Sequence, residues 1–216
     1  MVSDAPLILV IDDDEAMRQS AAFLLASVRL DSKIFASAED FLAELPRLPA
    51  ERPGCILLDV RMPGMSGLEL QRRLNDRRCP LPVLIITGHG DIPMAVAAMK
   101  AGAEDFIEKP CRDQILLDAI NGAIRKSRER LALDAERNAV RDRFGRLTRR
   151  EQEVLLAVVT GKQNKTIALD LDISVKTVEV HRHTGMEKMA AGSVAELSRM
   201  FTLANVAMLP AGRPLA

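Results

Sequence analysis

Ile56-Leu57-Leu58-Asp59-Val60-Arg61-Met62-Pro63-Gly64-Met65-Ser66-Gly67 is an apolar run that stops on a carboxylate and passes at once into a turn-forming segment. Such a run, bounded by turn residues, reads as a strand buried on both faces of a parallel sheet. Asp59 then stands at the strand's C-terminal edge, where open α/β sheets bind ligands and do chemistry. A carboxylate there can serve as nucleophile, metal ligand or base, and its neighbours decide which.

The same rhythm extends in both directions. Residues 7–11, 33–35, 55–58, 83–87 and 105–107 read as strands. Between them, Met17, Ala21, Leu24, Leu25 and Val28 repeat at helical spacing within 15–28. Ser37 caps a helix running to Leu45, and Ser66-Gly67-Leu68-Glu69 is a capping box for a helix to Arg78. A fourth helix covers 92–101 and stops at Gly102, and Asp113 caps a fifth. Five β-then-α units predict a doubly wound, five-stranded parallel sheet with right-handed crossovers and helices on both faces.

Downstream the pattern changes. Residues 125–144 are mostly charged, good helix formers and predict a helical linker. Leu131, Leu133, Ala135 and Val140 form a thin stripe, read either as a solvated face or as a short dimer contact. Beyond 145 no strand signal remains. Thr148-Arg149-Arg150-Glu151 is a capping box opening a helix through Val159, and a short helix covers 164–171. Asp172-Ile173-Ser174 is a tight turn, and Ser174 caps a helix to about Met189. Ser193-Val194-Ala195-Glu196 is a third capping box, for a helix ending near Leu203. This is a helix-turn-helix layout. The expected organisation is therefore an α/β domain over 1–124, a linker over 125–144 and a small all-α domain over 145–216.

Bulk properties agree with two globular units. The chain has 216 residues, of which 48% are hydrophobic. It has neither an apolar run long enough to span a bilayer nor a basic-then-apolar N-terminus, so a soluble cytoplasmic protein with no membrane partner is expected. Cys55, Cys79 and Cys111 lack metal spacing and read as free thiols. The net charge of zero conceals −6 over residues 1–120, +3 over 121–143 and +3 over 144–216. An acidic first half suits a cation, and the basic second half weakly suits nucleic acid.

The first strand leads into Asp12, Asp13, Asp14 and Glu15. Strand ends lie close in a parallel sheet, so Asp12, Asp13 and Asp59 are expected to converge. Three carboxylates so close need a cation or a retained proton. All-oxygen ligands favour Mg²⁺. On the residues alone, Asp12 and Asp13 stay open between that role and capping the next helix, whereas Asp14 reads as the cap. Thr87 ends the fourth strand and Lys109 follows the fifth, each able to bond a phosphoryl oxygen. Alone, Lys109 reads as a surface lysine. Together these residues suggest Mg²⁺-assisted phosphoryl transfer onto a carboxylate.

These motifs, with Ile86-Thr87-Gly88-His89-Gly90-Asp91 and Gly102-Ala103-Glu104-Asp105-Phe106-Ile107-Glu108-Lys109-Pro110, resemble the flavodoxin-like receiver domain of two-component response regulators, the FixJ subfamily above all. The resemblance implies that Asp59 accepts a phosphoryl group from a cognate histidine kinase. Asp12, Asp13, Asp59 and the Arg61 carbonyl would hold Mg²⁺. Thr87 and Lys109 would bind phosphoryl oxygens, Phe106 would be the switch, and Lys109–Pro110 would be cis. Cys111 stands where the subfamily often has an aromatic residue. A rival reading, a Mg²⁺ phosphohydrolase, would place a second acid two residues beyond the nucleophile. Arg61 stands there, so a phosphoacceptor with slow autodephosphorylation, not a turnover enzyme, is expected.

The helix opening at Ser174 has two faces. Val175, Val178, Arg182, Gly185 and Met189 lie on one, and Lys176, Glu179, Val180, His183 and Glu187 on the other. Leu147-Thr148-Arg149-Arg150-Glu151-Gln152-Glu153-Val154-Leu155, Asn164-Lys165 and Lys176-Thr177-Val178-Glu179-Val180-His181-Arg182 resemble the LuxR-type DNA-binding domain. By that resemblance Glu179, Val180 and His183 read bases. Asn164, Lys165, Lys176, Thr177, His181 and Arg182 hold the DNA backbone. Promoter DNA, a second copy after phosphorylation and RNA polymerase are the implied partners. Gly185, where the family usually has a branched apolar residue, predicts a gap, a soft or kinked second half of the helix and reduced DNA affinity.

Overall fold

A computed structural model describes residues 5–49, 51–88 and 90–206. Elements alternate as β1 (Leu7–Ile11), α1 (Glu15–Ser27), β2 (Asp31–Phe35), α2 (Ala38–Glu44), β3 (Gly54–Leu58), α3 (Gly67–Asp76), β4 (Val83–Thr87), α4 (Ile92–Lys100), β5 (Asp105–Glu108) and α5 (Asp113–Gly145). A single 3₁₀ turn, Leu45–Arg47, follows α2 and carries Pro46 at its second residue. The strands are all parallel in the order β2-β1-β3-β4-β5. The two central strands β3 and β4 are buried along their whole length, which is why they read as unbroken apolar runs.

Alternate strand residues face two cores. Leu9, Ile11, Ile56, Leu58 and Ile85 pack with Phe41, Leu70 and Leu74 on one face. Ile8, Val10, Cys55, Leu57 and Leu84 pack with Leu25, Leu116 and Ile120 on the other. Cys55 is a core residue whose thiol burial pushes up to about 12, so it is inert.

Local stop and start signals mostly act as expected. Asp14 caps α1, accepting from the Ala16 and Met17 amides. Ser66 caps α3, but Glu69 pairs with Arg73 four residues on, so no capping box closes there. Asp113 is the first residue of α5 and not its cap, because the Arg112 carbonyl already accepts from the Ile115 and Leu116 amides.

Helix α5 continues without a break to Gly145, and the chain divides into two units between Ala132 and Leu133. The expected linker over 125–144 is therefore shared between the units. Ser127 is buried in the first unit and accepts the Gly54 amide at 3.2 Å. Val140 and Phe144 belong to the core of the second, where Phe144 meets Phe201 edge-to-face with centroids 5.4 Å apart. The charge on the intervening surface hid these anchors.

The second unit adds α6 (Arg149–Val159), α7 (Asn164–Leu171), α8 (Val175–Met189) and α9 (Val194–Ala204). Thr148 and Glu151 close a full capping box on α6. Buried Glu151 also accepts from Lys188 at 2.8 Å. Burial pushes its acidity one way, but Lys188 and the Thr148 groups outweigh it and hold the carboxyl below its usual range. A lowered acid contributes stability above its unfolded-state pKa and loses it as pH falls through the folded one. Glu151→Gln is expected to flatten the acid limb of this unit's stability curve, read by melting temperature between about pH 3 and 7. At α9 Ser193 caps as expected, but Glu196 bonds the Gly192 amide instead of completing a box.

Gly185 departs from expectation. Helix α8 is continuous through it, and Leu155 fills the space a side chain would take. A Cβ built at Gly185 lies 3.0 Å from Leu155 Cδ1 and 3.1 Å from its Cγ. There is thus no gap. Valine would gain roughly 0.4 kcal/mol of helix propensity against an overpacking cost of about 1–3 kcal/mol. Gly185→Val is expected to lower the melting temperature, with Leu155→Ala restoring part of the loss in the double variant.

Among the described residues no helix is long and apolar enough to cross a membrane.

Candidate phosphoacceptor site and DNA-reading surface

The sheet register builds the site. Ile11 lies beside Leu58, and the strand ladder runs one step further, the Asp59 amide donating to the Ile11 carbonyl at 2.9 Å. The Asp12 amide reaches the Phe35 carbonyl at 3.2 Å. On the other side the Lys109 amide donates to the Thr87 carbonyl at 2.8 Å, prolonging β5 along β4. Asp12, Asp59 and Lys109 thus leave three strands at one rim. Lys109 Nζ donates to Asp12 Oδ2 at 2.5 Å and to Asp59 Oδ1 at 3.1 Å. The Arg61 amide holds Asp59 Oδ2 at 2.7 Å, and the Asp14 amide holds Asp12 Oδ1 at 3.0 Å.

Asp12 is 6% exposed and Asp59 7%. Burial pushes the Asp59 carboxyl up, with the Asp12 charge adding to it and Lys109 opposing. Burial pulls Lys109 down, but the two carboxylates outweigh it and its ammonium is held more firmly than usual. Two buried acids thus crowd one ammonium: burial dominates at Asp59, and the paired carboxylates dominate at Lys109.

Asp13 does not join the pair. It is exposed, and among the described residues no three acidic, histidine or cysteine side chains gather closely. Lys109 has taken the position between Asp12 and Asp59, because an ammonium relieves the repulsion that a third carboxylate would raise. The donor set nevertheless suits Mg²⁺. Two carboxylates with surplus negative charge, beside backbone oxygens, match an ion that takes one or two carboxylates and keeps several waters.

Thr87 is fully buried at the end of β4. Phe106 is half-buried, its ring against Gly90: a Cβ there would lie 2.9 Å from Cε1. The Thr87 methyl lies 3.7 Å from the same point, so the Phe106 ring and Thr87 are neighbours. His89 falls outside the described residues. The Lys109–Pro110 bond is cis, as the resemblance implied. Cys111 lines a cavity of about 150 Å³ with Leu24, Leu57, Ile86 and Leu116, which places a small side chain in a roomy corner.

Three supporting residues were given no role at the site by the sequence. Glu39 on α2 accepts the Met65 amide at 3.0 Å and so ties down the loop after Asp59. Gly67 lets α3 approach that loop's backbone, where a Cβ would lie 2.1 Å from the Asp59 carbonyl oxygen. Arg18 reaches back to the acidic loop. All three act on main-chain atoms, and only the fold says which main chain is near.

In the second unit, Asp172 takes the left-handed conformation that turns α7 into α8. Val178, Gly185 and Met189 face inward, whereas Val175 is exposed at the first turn and does not join them. Lys176, Glu179, Val180 and His183 are exposed together, and Val180 is 56% exposed. Thr177, His181 and Arg182 are half-buried, and Arg182 Nη1 donates to Asn164 Oδ1 at 3.2 Å, linking α8 to α7. Lys165 is exposed on α7. A protruding helix face with bases at its flanks has the geometry of a major-groove reader.

The sequence matches the response regulator receiver domain over residues 8–121 and the LuxR family of bacterial regulatory proteins over 146–201. It is 49% identical to the transcriptional regulatory protein FixJ of Azorhizobium caulinodans, across 92% of both chains. It is 42% identical to the response regulator protein TodT of Pseudomonas putida, across 93% of this chain and 87% of that one. Among solved structures, the response regulator StyR superposes with a TM-score of 0.78 at 41% identity, covering 92% of this chain and 98% of its own. Receiver domains generally depend on Mg²⁺ and on a kinase partner, and the LuxR-type domain binds DNA. A receiver domain followed by a LuxR-type DNA-binding domain, with 49% identity to a FixJ protein across 92% of both chains, makes the chain a member of the FixJ-type transcriptional response regulators of two-component systems.

Proposed function

We propose that Asp59 is the phosphoacceptor and that its modification makes the chain a dimeric promoter-binding protein in the cytoplasm. The observation that carries this is the arrangement of Asp59 between Lys109 at Oδ1 and the Arg61 amide at Oδ2. An Asp59 oxygen attacks the phosphorus of the kinase's phosphohistidine. An O–P bond forms as the P–N bond breaks, and the imidazole leaves. Lys109 stabilises the charge that builds on the phosphoryl oxygens, and Thr87 bonds another of them. Asp12, Asp13, Asp59 and the Arg61 carbonyl would hold Mg²⁺, which when bound would neutralise the phosphoryl charge. Arg61 offers no carboxylate to activate water, so the adduct persists and the chain is not a turnover enzyme.

Thr87 moves toward the phosphoryl group and Phe106 follows inward, remodelling the α4 and β5 face for a second copy. Paired effector units then place Glu179, Val180 and His183 on base edges. Asn164, Lys165, Lys176, Thr177, His181 and Arg182 hold phosphates, where RNA polymerase is the next partner. The test is light scattering and DNA binding to a selected genomic fragment, with and without Mg²⁺ and beryllofluoride. The mimic is expected to convert monomer to dimer and tighten binding; no change in either overturns the reading.

A further inference from the structure

Arg18 is not among the residues named above as phosphoryl or cation ligands, yet it makes two well-formed bonds at the site. Its Nη1 donates to the Asp12 carbonyl oxygen and to the Asp13 carbonyl oxygen, each at 2.8 Å. Its own amide donates to the Asp14 carbonyl at 3.0 Å, and Asp14 in turn caps α1. One side chain from the second turn of α1 therefore closes over the whole β1–α1 loop. The side chain runs back toward the helix N-terminus, the direction helical side chains take. The two peptide units it fixes are those that carry the acidic pair.

We propose that Arg18 is a positioning residue for phosphoryl acceptance, setting the Asp12–Asp13 backbone so that both carboxylates can serve the cation. The inference rests on the proposed reading of Asp12, Asp13 and Asp59 as cation ligands. Partners that orient ligands typically change metal affinity 10- to 100-fold when removed. The role has a signature that a mere charge would not give. Deleting a nearby positive charge, by itself, tightens the binding of a divalent cation. Deleting a positioning bond loosens it. Arg18→Met keeps the stem and removes charge and donors together, so the sign of the change separates the two.

The experiment is a calorimetric titration of the full chain with Mg²⁺, for wild type, Arg18→Met, Arg18→Lys and Asp12→Asn, with melting temperatures alongside. Arg18→Met is expected to weaken Mg²⁺ binding about tenfold. Arg18→Lys, which keeps an ammonium within reach of a carbonyl, is expected to regain part of the loss. The amide resonances of Asp12 and Asp13 are expected to shift in Arg18→Met before any Mg²⁺ is added. Binding as tight as wild type or tighter in Arg18→Met overturns the proposal, even if that variant melts lower. If wild type itself shows no Mg²⁺ binding sensitive to Asp12→Asn, the carboxylate reading fails first and the proposal falls with it.

Discussion

Asp59→Asn is expected to leave the chain folded, more resistant to heat and unable to take a phosphoryl group. Asparagine keeps the shape, and its single carbonyl oxygen keeps one of the two bonds that Asp59 makes, to Lys109 through Oδ1 or to the Arg61 amide through Oδ2. It offers no anionic oxygen to attack phosphorus, so incorporation from a kinase or a small-molecule donor falls to background. The stability effect has the opposite sign. Asp59 is buried beside Asp12 with one ammonium between them. Removing one of two crowded carboxylates leaves a neutral Asp12–Lys109 pair in place of a cluster charged −1. Replacing poorly compensated buried charge is often neutral or stabilising. Calorimetry in EDTA, paired with Phos-tag electrophoresis, reads both effects. A lower melting temperature, or phosphate retained on Asp59→Asn, would contradict the account.

Gly67→Ala is expected to damage the receiver unit more than any other one-carbon change near the site. The added Cβ would sit 2.1 Å from the Asp59 carbonyl oxygen, 2.9 Å from its carbon and 3.0 Å from Val60 Cα. All three are main-chain atoms, so no side chain can swing aside. The Gly67 amide also donates to the Val60 carbonyl at 2.9 Å, which locks the approach. Alanine gains up to about 1 kcal/mol of helix propensity, whereas displacing this backbone costs about 3 kcal/mol or more. The clash decides the sign. A fall of roughly 10 °C in melting temperature is expected, with slower phosphorylation in whatever remains folded, because the displaced backbone is that of Asp59 itself. Gly145→Ala is the control: nothing lies within 4 Å of a Cβ there. An unchanged melting temperature for Gly67→Ala would refute the geometry.

Much of this molecule is written in local signals. Parallel strands buried on both faces have no choice but to be apolar, so β1, β3 and β4 stand out of the sequence. Asp14, Ser37, Thr148 and Ser174 cap helices where short oxygen-bearing side chains must. Asp12, Asp59, Thr87 and Lys109 are legible because strand ends in such a sheet always meet. What stays hidden is whatever depends on which backbone lies close by. Arg18, Glu39 and Gly67 each act on a neighbouring main chain; Arg18 and Glu39 are ordinary residue types for a helix, and Gly67 is marked by its motif but not by the backbone it approaches. Asp13 follows Asp12 at the strand end but is exposed where Asp12 is buried. Gly185 was misread because a missing side chain was equated with missing volume, and Leu155 supplies that volume from another helix. The α5 segment misled for the converse reason: a few anchors, Ser127, Val140 and Phe144, outweigh many charges.

The bond between Lys109 and Asp12 joins residues 97 positions apart. During synthesis the ribosome therefore releases Asp12 and Asp59 well before the lysine that bridges them. A nascent or truncated chain exposes Asp59 without a competent centre around it, since β5 is the last strand to arrive and sits at the sheet's edge. On the proposed reading of Asp59, a chain lacking β5 lacks the ammonium that bridges Asp12 and Asp59 and so forms no competent centre.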